Sequence, residues 1–295
     1  MNTIPYGRQA IGQDDIDAVE KTLKSDFLTQ GPKVKEFENK FAEYVEAKYA
    51  VAVNNATSGL HLAVLTLGLK KGDRVITTPI TFAASANCVR YVGGEVWFAD
   101  IEKDSYLLSL ESTRKLIESK PRGFFKGIIA VDFAGLPLNL EAFRELANEH
   151  DLWIIEDACH APGGSFTDSE GIVQKCGNGN YADIGVFSFH PVKHIACGEG
   201  GMITTNSKEL YDKLKLLRTH GITKENMQEN QGDWYYEMTD LGYNYRLTDF
   251  QSALGISQLA KNNKGVERRN EISDIYKKAF EGKIKFQDLP SSSYN

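Results

Sequence analysis

The sequence is poor in the residues that cross-link or extend a chain. Its four cysteines, Cys88, Cys159, Cys176 and Cys197, include no C-x-x-C pair, so reduced thiols are expected rather than a zinc site or a disulfide framework. Eight prolines and 26 glycines in 295 residues exclude collagen-like and low-complexity chains. No apolar run approaches the roughly 20 residues that span a bilayer. The opening MNTIPYGRQAIGQDD has no apolar core of a secretory leader, and the cytoplasm is the expected compartment. Positive charge is not in excess either: 34 Lys+Arg against 40 Asp+Glu leave a net charge of −6. General attraction to nucleic acid or to an anionic membrane is therefore not expected, and an anionic ligand needs a local site.

What is present is globular. Hydrophobic residues make up 41% and charged residues 25%, and the length exceeds the usual single domain of roughly 100–200 residues, so one large core or two coupled lobes are expected. DDIDAVEKTLKS and PKVKEFENKFAEYVEA read as amphipathic helices, the second with Pro32 in its first turn and Phe37, Phe41 and Tyr44 on one face. The short apolar runs YAVAV, RVITT, EVWFAD, GIIAV and LWIIED then recur, with the helical stretches ATSGLHLAVLTLG, TFAASANCVRYV and NLEAFRELANEH among them. Strands alternating with helices imply an α/β fold whose mostly parallel sheet is covered on both faces. The polar, glycine-rich SFTDSEGIVQKCGNGNYADIG reads as a loop before the apolar strands IGVFSFH and GMITT. The pattern is helical again from Ser207, and GVERRNEISDIYKKAFEGKIKF reads as a long helix leading into a further unit. Its Ile272, Ile275, Tyr276 and Phe280 form an apolar stripe that nothing later in the chain is long enough to cover.

In an open parallel sheet, ligands bind beyond the carboxyl ends of the strands. After YAVAV, the turn Asn54-Asn55-Ala56-Thr57-Ser58-Gly59 opens a helix whose free amides suit a phosphate, or simply uses Thr or Ser as an N-cap. After LWIIE, Asp157 either caps the turn ACHAPGG or pairs with a protonated heteroaromatic nitrogen, because a charge on a buried strand needs a partner. After IGVFSF, Lys193 lies in a Pro- and Gly-framed connection between two apolar strands, where a desolvated lysine can act as an amine nucleophile. His190 and His194 lack the spacing of metal ligands, so packing or loop hydrogen bonding is expected and no metal site is assigned. GEGG is neither a dinucleotide fingerprint nor a P-loop.

A phosphate cradle, a carboxylate for a ring nitrogen and a strand-end lysine, in that order, are what pyridoxal 5'-phosphate requires of a protein. LTQGPKVKEFE, NNATSGLHLA, GDRVITTPITFAASAN, IIEDACHAPGG, VFSFHPVK, GEGGMITT, RTHGI and LGYNYRLTDFQSALG resemble the DegT-type sugar aminotransferases, which have the aspartate-aminotransferase fold (PLP fold type I). The likeness runs from about Ile4 to about Arg269. It is strongest to the subgroup that makes UDP-4-amino-4,6-dideoxy-N-acetyl-β-L-altrosamine on the way to pseudaminic acid.

The resemblance implies a transaminase that passes an amino group from glutamate to a UDP-linked 4-keto sugar. By position, Lys193 matches the Schiff-base lysine and Asp157 the acid that pairs with the pyridine nitrogen. Ala56, Thr57 and Ser188 match the phosphate cradle, Phe82 the aromatic ring stacked on the cofactor, and His160 the residue beside that ring. Asn244 matches an asparagine that reaches the neighbouring subunit's cofactor, implying a homodimer with shared active sites. Tyr6, Thr29, His220 and Arg246 fall in stretches expected to meet substrate. The implied organisation is a large cofactor-binding domain over residues 1–250, then the beginning of a small C-terminal domain over 251–295 that looks truncated. One departure is HIAC before GEGG, where the family usually has a Thr-rich segment.

Overall fold

Each apolar run forms a strand and each amphipathic stretch a helix. The computed structural model describes residues 7–224, 232 and 234–289 and the backbone of 293–294. Helices α1 (Gln13–Leu23) and α2 (Pro32–Val45) lead into β1 (Tyr49–Val53), α3 (Ala56–Thr66), β2 (Arg74–Thr77), α4 (Ala84–Tyr91), β3 (Glu95–Phe98), α5 (Leu110–Glu118), β4 (Gly127–Val131), α6 (Leu140–Glu149) and β5 (Trp153–Asp157). A hairpin of β6 (Ser165–Thr167) and β7 (Val173–Lys175) precedes β8 (Ile184–Ser188), β9 (Gly201–Thr205), α7 (Lys208–Arg218), β10 (Ile222–Thr223), β11 (Glu237–Met238), α8 (Asp249–Leu259), α9 (Asn262–Ala279) and β12 (Ser293–Tyr294). Side-chain caps open α3, α5, α6, α7 and α8.

The central sheet has the order β1-β9-β8-β5-β4-β2-β3. Only β9 runs against the others among the described residues, because β8 turns back into it without a helix between them. Strand alternation divides the core. Val51, Val53, Val75, Ile129, Ile155 and Val186 face the side covered by α3, α4 and α7. On the opposite face, Ile76, Ile128 and Ile154 meet α6 and its neighbours, while Ala50, Ala52, Phe187 and Met202 meet α2. The expected aspartate-aminotransferase-like layering, helices on both faces of a mostly parallel sheet, is therefore present.

Two local features were not visible as pattern. The segment expected to be a loop after residue 165 forms β6 and β7, three-residue strands too short for a periodicity signal, with Phe166 and Gln174 buried. Helix α5 starts at Ser109, whose side chain accepts from Ser112 N, and buries only Thr113 and Ile117 along its length.

Residue 250 lies in the first turn of α8, a helix packed against α1 and α2. Asp249 is fully buried and accepts from Gly31 N at 2.8 Å and Lys33 N at 2.9 Å, closing the start of α2. Helix α9 follows, and its Ile275 and Tyr276 are more than half exposed.

Candidate active site

The carboxyl ends of β1, β2, β4, β5 and β8 surround one cavity of about 750 Å³. Asn55 to Ser58 come from the first of these ends, Thr81 and Phe82 from the second, Val131 from the third, Asp157, Cys159 and His160 from the fourth, and Ser188, His190 and Lys193 from the fifth.

The cradle is built by a cap. Asn55, not Thr57 or Ser58, is the N-cap of α3, its side chain accepting from Ser58 N at 2.8 Å. First-turn amides have no intrahelical acceptor, and Ala56 and Thr57, which carry two of them, line the cavity. Gly201 explains the end of GEGG: a Cβ there would lie 2.8 Å from Ala56 N, so β9 passes beneath the start of α3 only as glycine. Ser188, 9% exposed, lines the same wall and accepts from His190 N at 3.4 Å.

Asp157 is 5% exposed at the end of β5. Ser85 Oγ donates to its Oδ2 at 2.7 Å, and Cys159 N donates to Oδ1 at 3.3 Å, so one carboxylate both caps the turn and faces the cavity. No lysine, arginine or histidine ion-pairs with it among the described residues. A buried anion at a cavity wall without a counterion is costly unless a cationic ligand completes it.

Lys193 stands in the β8–β9 connection, its amide donating to His190 O at 2.8 Å. Burial holds its ammonium below the ordinary lysine range, against the opposing charge of Asp157. His160 is likewise lowered, first by burial and then by the charge of Lys193. Phe82, 73% exposed, lies just ahead of α4 and lines the cavity. Lys193, Asp157, Ala56, Thr57, Ser188, Phe82 and His160 are thus brought together. Phosphate at the start of α3, a protonated heteroaromatic ring against Asp157 and a carbonyl within reach of Lys193 together match the donor set that pyridoxal phosphate needs.

The remaining residues of interest lie elsewhere. Asn244 is exposed and bridges Thr219, and the amide of His220 donates to Tyr243 O at 2.8 Å. Thr29 bridges Thr248, and Arg246 lines a separate cleft of about 260 Å³ with Gln30, Lys35, Glu38 and Arg218. These four form a ledge outside the Lys193 cavity, and Tyr6 lies outside the described residues. The ledge still touches the cradle, because Asn54 N donates to Tyr245 O at 2.9 Å.

Sequence reasoning passed over three groups, one buried behind the cavity wall and two on it. Ser85 is fully buried against Asp157. Tyr245 bonds its hydroxyl to His61 Nδ1 at 3.1 Å, and both line the cavity. Ser85 sits one helical turn after Phe82 in a stretch already notable, but only the fold reveals that it meets a residue 72 positions away. The HIAC departure also has an explanation. Ile195, Ala196 and Cys197 are buried under the connection with Phe189 and Leu247, so the segment packs the floor and leaves the cavity lining to others. His194 turns away from the cavity into a cleft with Arg269, and burial lowers its pKa to about 3.

The DegT/DnrJ/EryC1/StrS aminotransferase family pattern matches residues 9–293. A UDP-4-amino-4,6-dideoxy-N-acetyl-beta-L-altrosamine transaminase of Campylobacter jejuni is 41% identical over 295 residues, covering 98% of this chain and 74% of that protein. Among solved structures, Helicobacter pylori PseC, an aminotransferase of pseudaminic acid biosynthesis, superposes with a TM-score of 0.86 at 32% identity, covering 95% of this chain and 71% of that one. Spr1654 of Streptococcus pneumoniae, a proposed sugar aminotransferase solved in its PLP form, gives 0.83 at 28% identity, over 95% and 72% of the two chains. The chain belongs to the DegT/DnrJ/EryC1/StrS aminotransferase family, whose sugar aminotransferases use pyridoxal phosphate.

Proposed function

We propose that this sugar aminotransferase transfers the amino group of glutamate to the 4-keto carbon of a UDP-linked 4-keto-6-deoxy-N-acetyl-hexosamine, in the direction of pseudaminic acid. The observation that supports it most is the convergence of Lys193, Asp157 and the start of α3 on one cavity. The 41% identity to a transaminase acting at that step supports the choice of sugar.

Ala56, Thr57 and Ser188 would hold the cofactor phosphate, Phe82 would offer a ring face to it, and Asp157, oriented by Ser85, would pair with a protonated ring nitrogen. Bound pyridoxal phosphate supplies an electron sink for the pair left when a proton leaves the donor's α-carbon. Lys193 Nζ accepts that proton, and its partial burial favours the neutral amine needed to do so. In the second half the same amine returns a proton to the former keto carbon of the sugar. His160, kept neutral by burial, would stand beside the bound ring without adding a second cation.

Asn244, His220, Thr29 and Arg246 serve the cavity of a second copy, so the working unit is a homodimer with shared sites. The exposure of Asn244, His220 and Thr29 and the place of half-buried Arg246 in a separate cleft, all outside the chain's own cavity, support this reading. The unit that follows the large domain starts with α9, since α8 shares the large domain's core. Among the described residues no helix is long and apolar enough to cross a membrane. The test is a protein loaded with pyridoxal phosphate, glutamate and the UDP-4-keto sugar, followed by 2-oxoglutarate release. Failure to take up a borohydride-reducible yellow cofactor would falsify the assignment.

A further inference from the structure

Strand β5 ends in two adjacent carboxyls, which strand alternation sends to opposite faces. Asp157 faces the cavity, while Glu156 turns to the other side, where it meets Asp132, just beyond β4, and Cys176, just beyond β7. One ligand atom of each of these three lies within 4.8 Å of the others, and exposures are 2%, 1% and 2%. Glu156 Oε2 accepts from Gly177 N at 2.9 Å, and Asp132 Oδ1 accepts from Leu138 N at 2.9 Å. The other oxygen of each, Glu156 Oε1 and Asp132 Oδ2, is buried with no hydrogen-bond partner. The titratable groups facing the pair are Cys176, Asp157 and Cys159, and among the described residues no cation pairs with it.

Two neighbouring buried carboxylates with no counterion would repel each other in a medium that barely screens them. A single proton resolves both vacancies, because an O–H on one carboxyl supplies the donor that the bare oxygen of the other lacks. We propose that Asp132 and Glu156 share one proton at neutral pH and act as a positioning pair that fixes the end of β5 from which Asp157 projects. Burial pushes both carboxyls upward, Asp132 to about 7 and Glu156 well above its ordinary range, with the charge of Asp157 adding to the shift of Asp132. The link to Asp157 is covalent on one side and hydrogen-bonded on the other: Glu156 precedes it, and Asp132 N donates to Asp157 O at 3.2 Å. A divalent cation in the same place would need the Cys176 thiol ionised as well, although burial pushes that thiol up.

The shared proton stands on the geometry alone, whereas its service to cofactor binding rests on the role proposed for Asp157. The two halves are tested separately. For the proton, the folded chain retains it above the pH where an unfolded carboxyl releases it, about 4. Stability from this source is therefore lost as pH rises from about 4 through the folded value. Glu156→Gln replaces the O–H by a permanent N–H and removes that slope. The expected result on the chain without cofactor is a gap in Tm of roughly 3–6 °C in favour of Glu156→Gln, opening as the pH rises from about 5 to about 8. In the infrared, a carboxylic-acid carbonyl band at pH 7 should be present in the parent and absent in Glu156→Gln and in Asp132→Asn. No such band with parallel pH slopes, or one equivalent of tightly held divalent metal in the purified chain, overturns the shared proton. For the positioning role, pyridoxal phosphate titrated into folded Glu156→Gln should bind as in the parent, while Glu156→Ala binds about tenfold more weakly. Equal affinity of Glu156→Ala with the band confirmed would overturn positioning and leave the proton standing.

Discussion

The cavity floor and the ledge are held in place by different physics. Around Asp157, Ser188 and the start of α3, the functional side chains sit at the ends of buried strands or at a capped helix start, and Lys193 follows in the β8–β9 connection just ahead of the buried Ile195, Ala196 and Cys197. On the ledge, Asn244, His220 and Thr29 hang on isolated bridges and turns, His220 with a φ of +57°. A site set on strand ends is rigid within one chain. A site on bridges gains its rigidity from what packs over it.

The sharpest way to break that contrast is at the amine. Lys193→Ala is expected to lower transamination by at least about 10³-fold and to abolish the borohydride-reducible chromophore while leaving the fold, because the side chain is only part-buried. Asp157→Asn should cost about 10²-fold, read as slowed proton exchange at the glutamate α-carbon with cofactor still bound, since an amide cannot keep a ring nitrogen protonated. If exchange is unchanged, the floor does not work as described.

The ledge is tested by mixing. Lys193→Ala and Asn244→Ala chains, each inactive or weak, should after reassociation regain up to about a quarter of parental activity, since half the dimers are mixed and each mixed dimer restores one site. A monomer by sedimentation that binds cofactor tightly would place the ledge outside the site altogether.

The smallest expected effect separates the two sides of the β8–β9 connection. His194 faces away from the cavity and has a pKa of about 3 against 6.5 unfolded, chiefly through burial. Between those values the unfolded chain binds a proton that the folded chain refuses, so stability falls as pH drops from 6.5 toward 3. His194→Gln should flatten that slope, sparing about 2 kcal/mol of loss between neutral pH and about pH 5 in denaturant titrations. Turnover at pH 8 should change little.

Legibility followed the same division. Lys193 and Asp157 could be picked out because a charged group bounded by apolar strand must sit at a sheet edge, and the structure puts both there. The α3 cradle was legible from a polar turn before an apolar helix, although the cap is Asn55 rather than a hydroxyl. Ser85, Tyr245 and the Asp132–Glu156 contact were not legible. Each joins residues dozens of positions apart, and nothing local in a serine or a second acid distinguishes it from a solvated one.

By itself the sequence determined the alternation of strand and helix, the burial of the sheet on both faces and the chemical types at the sheet's carboxyl edge, because periodicity and short-range capping are local properties. Only the tertiary structure decided the strand order, which places β8 beside β5 and so brings Lys193 and Asp157 to one cavity. It also decided that Glu156 would face an acid and not a base. Strand pairing and burial are settled by contacts distant in sequence, and the ionisation of a carboxyl depends on which of those contacts exclude water from it.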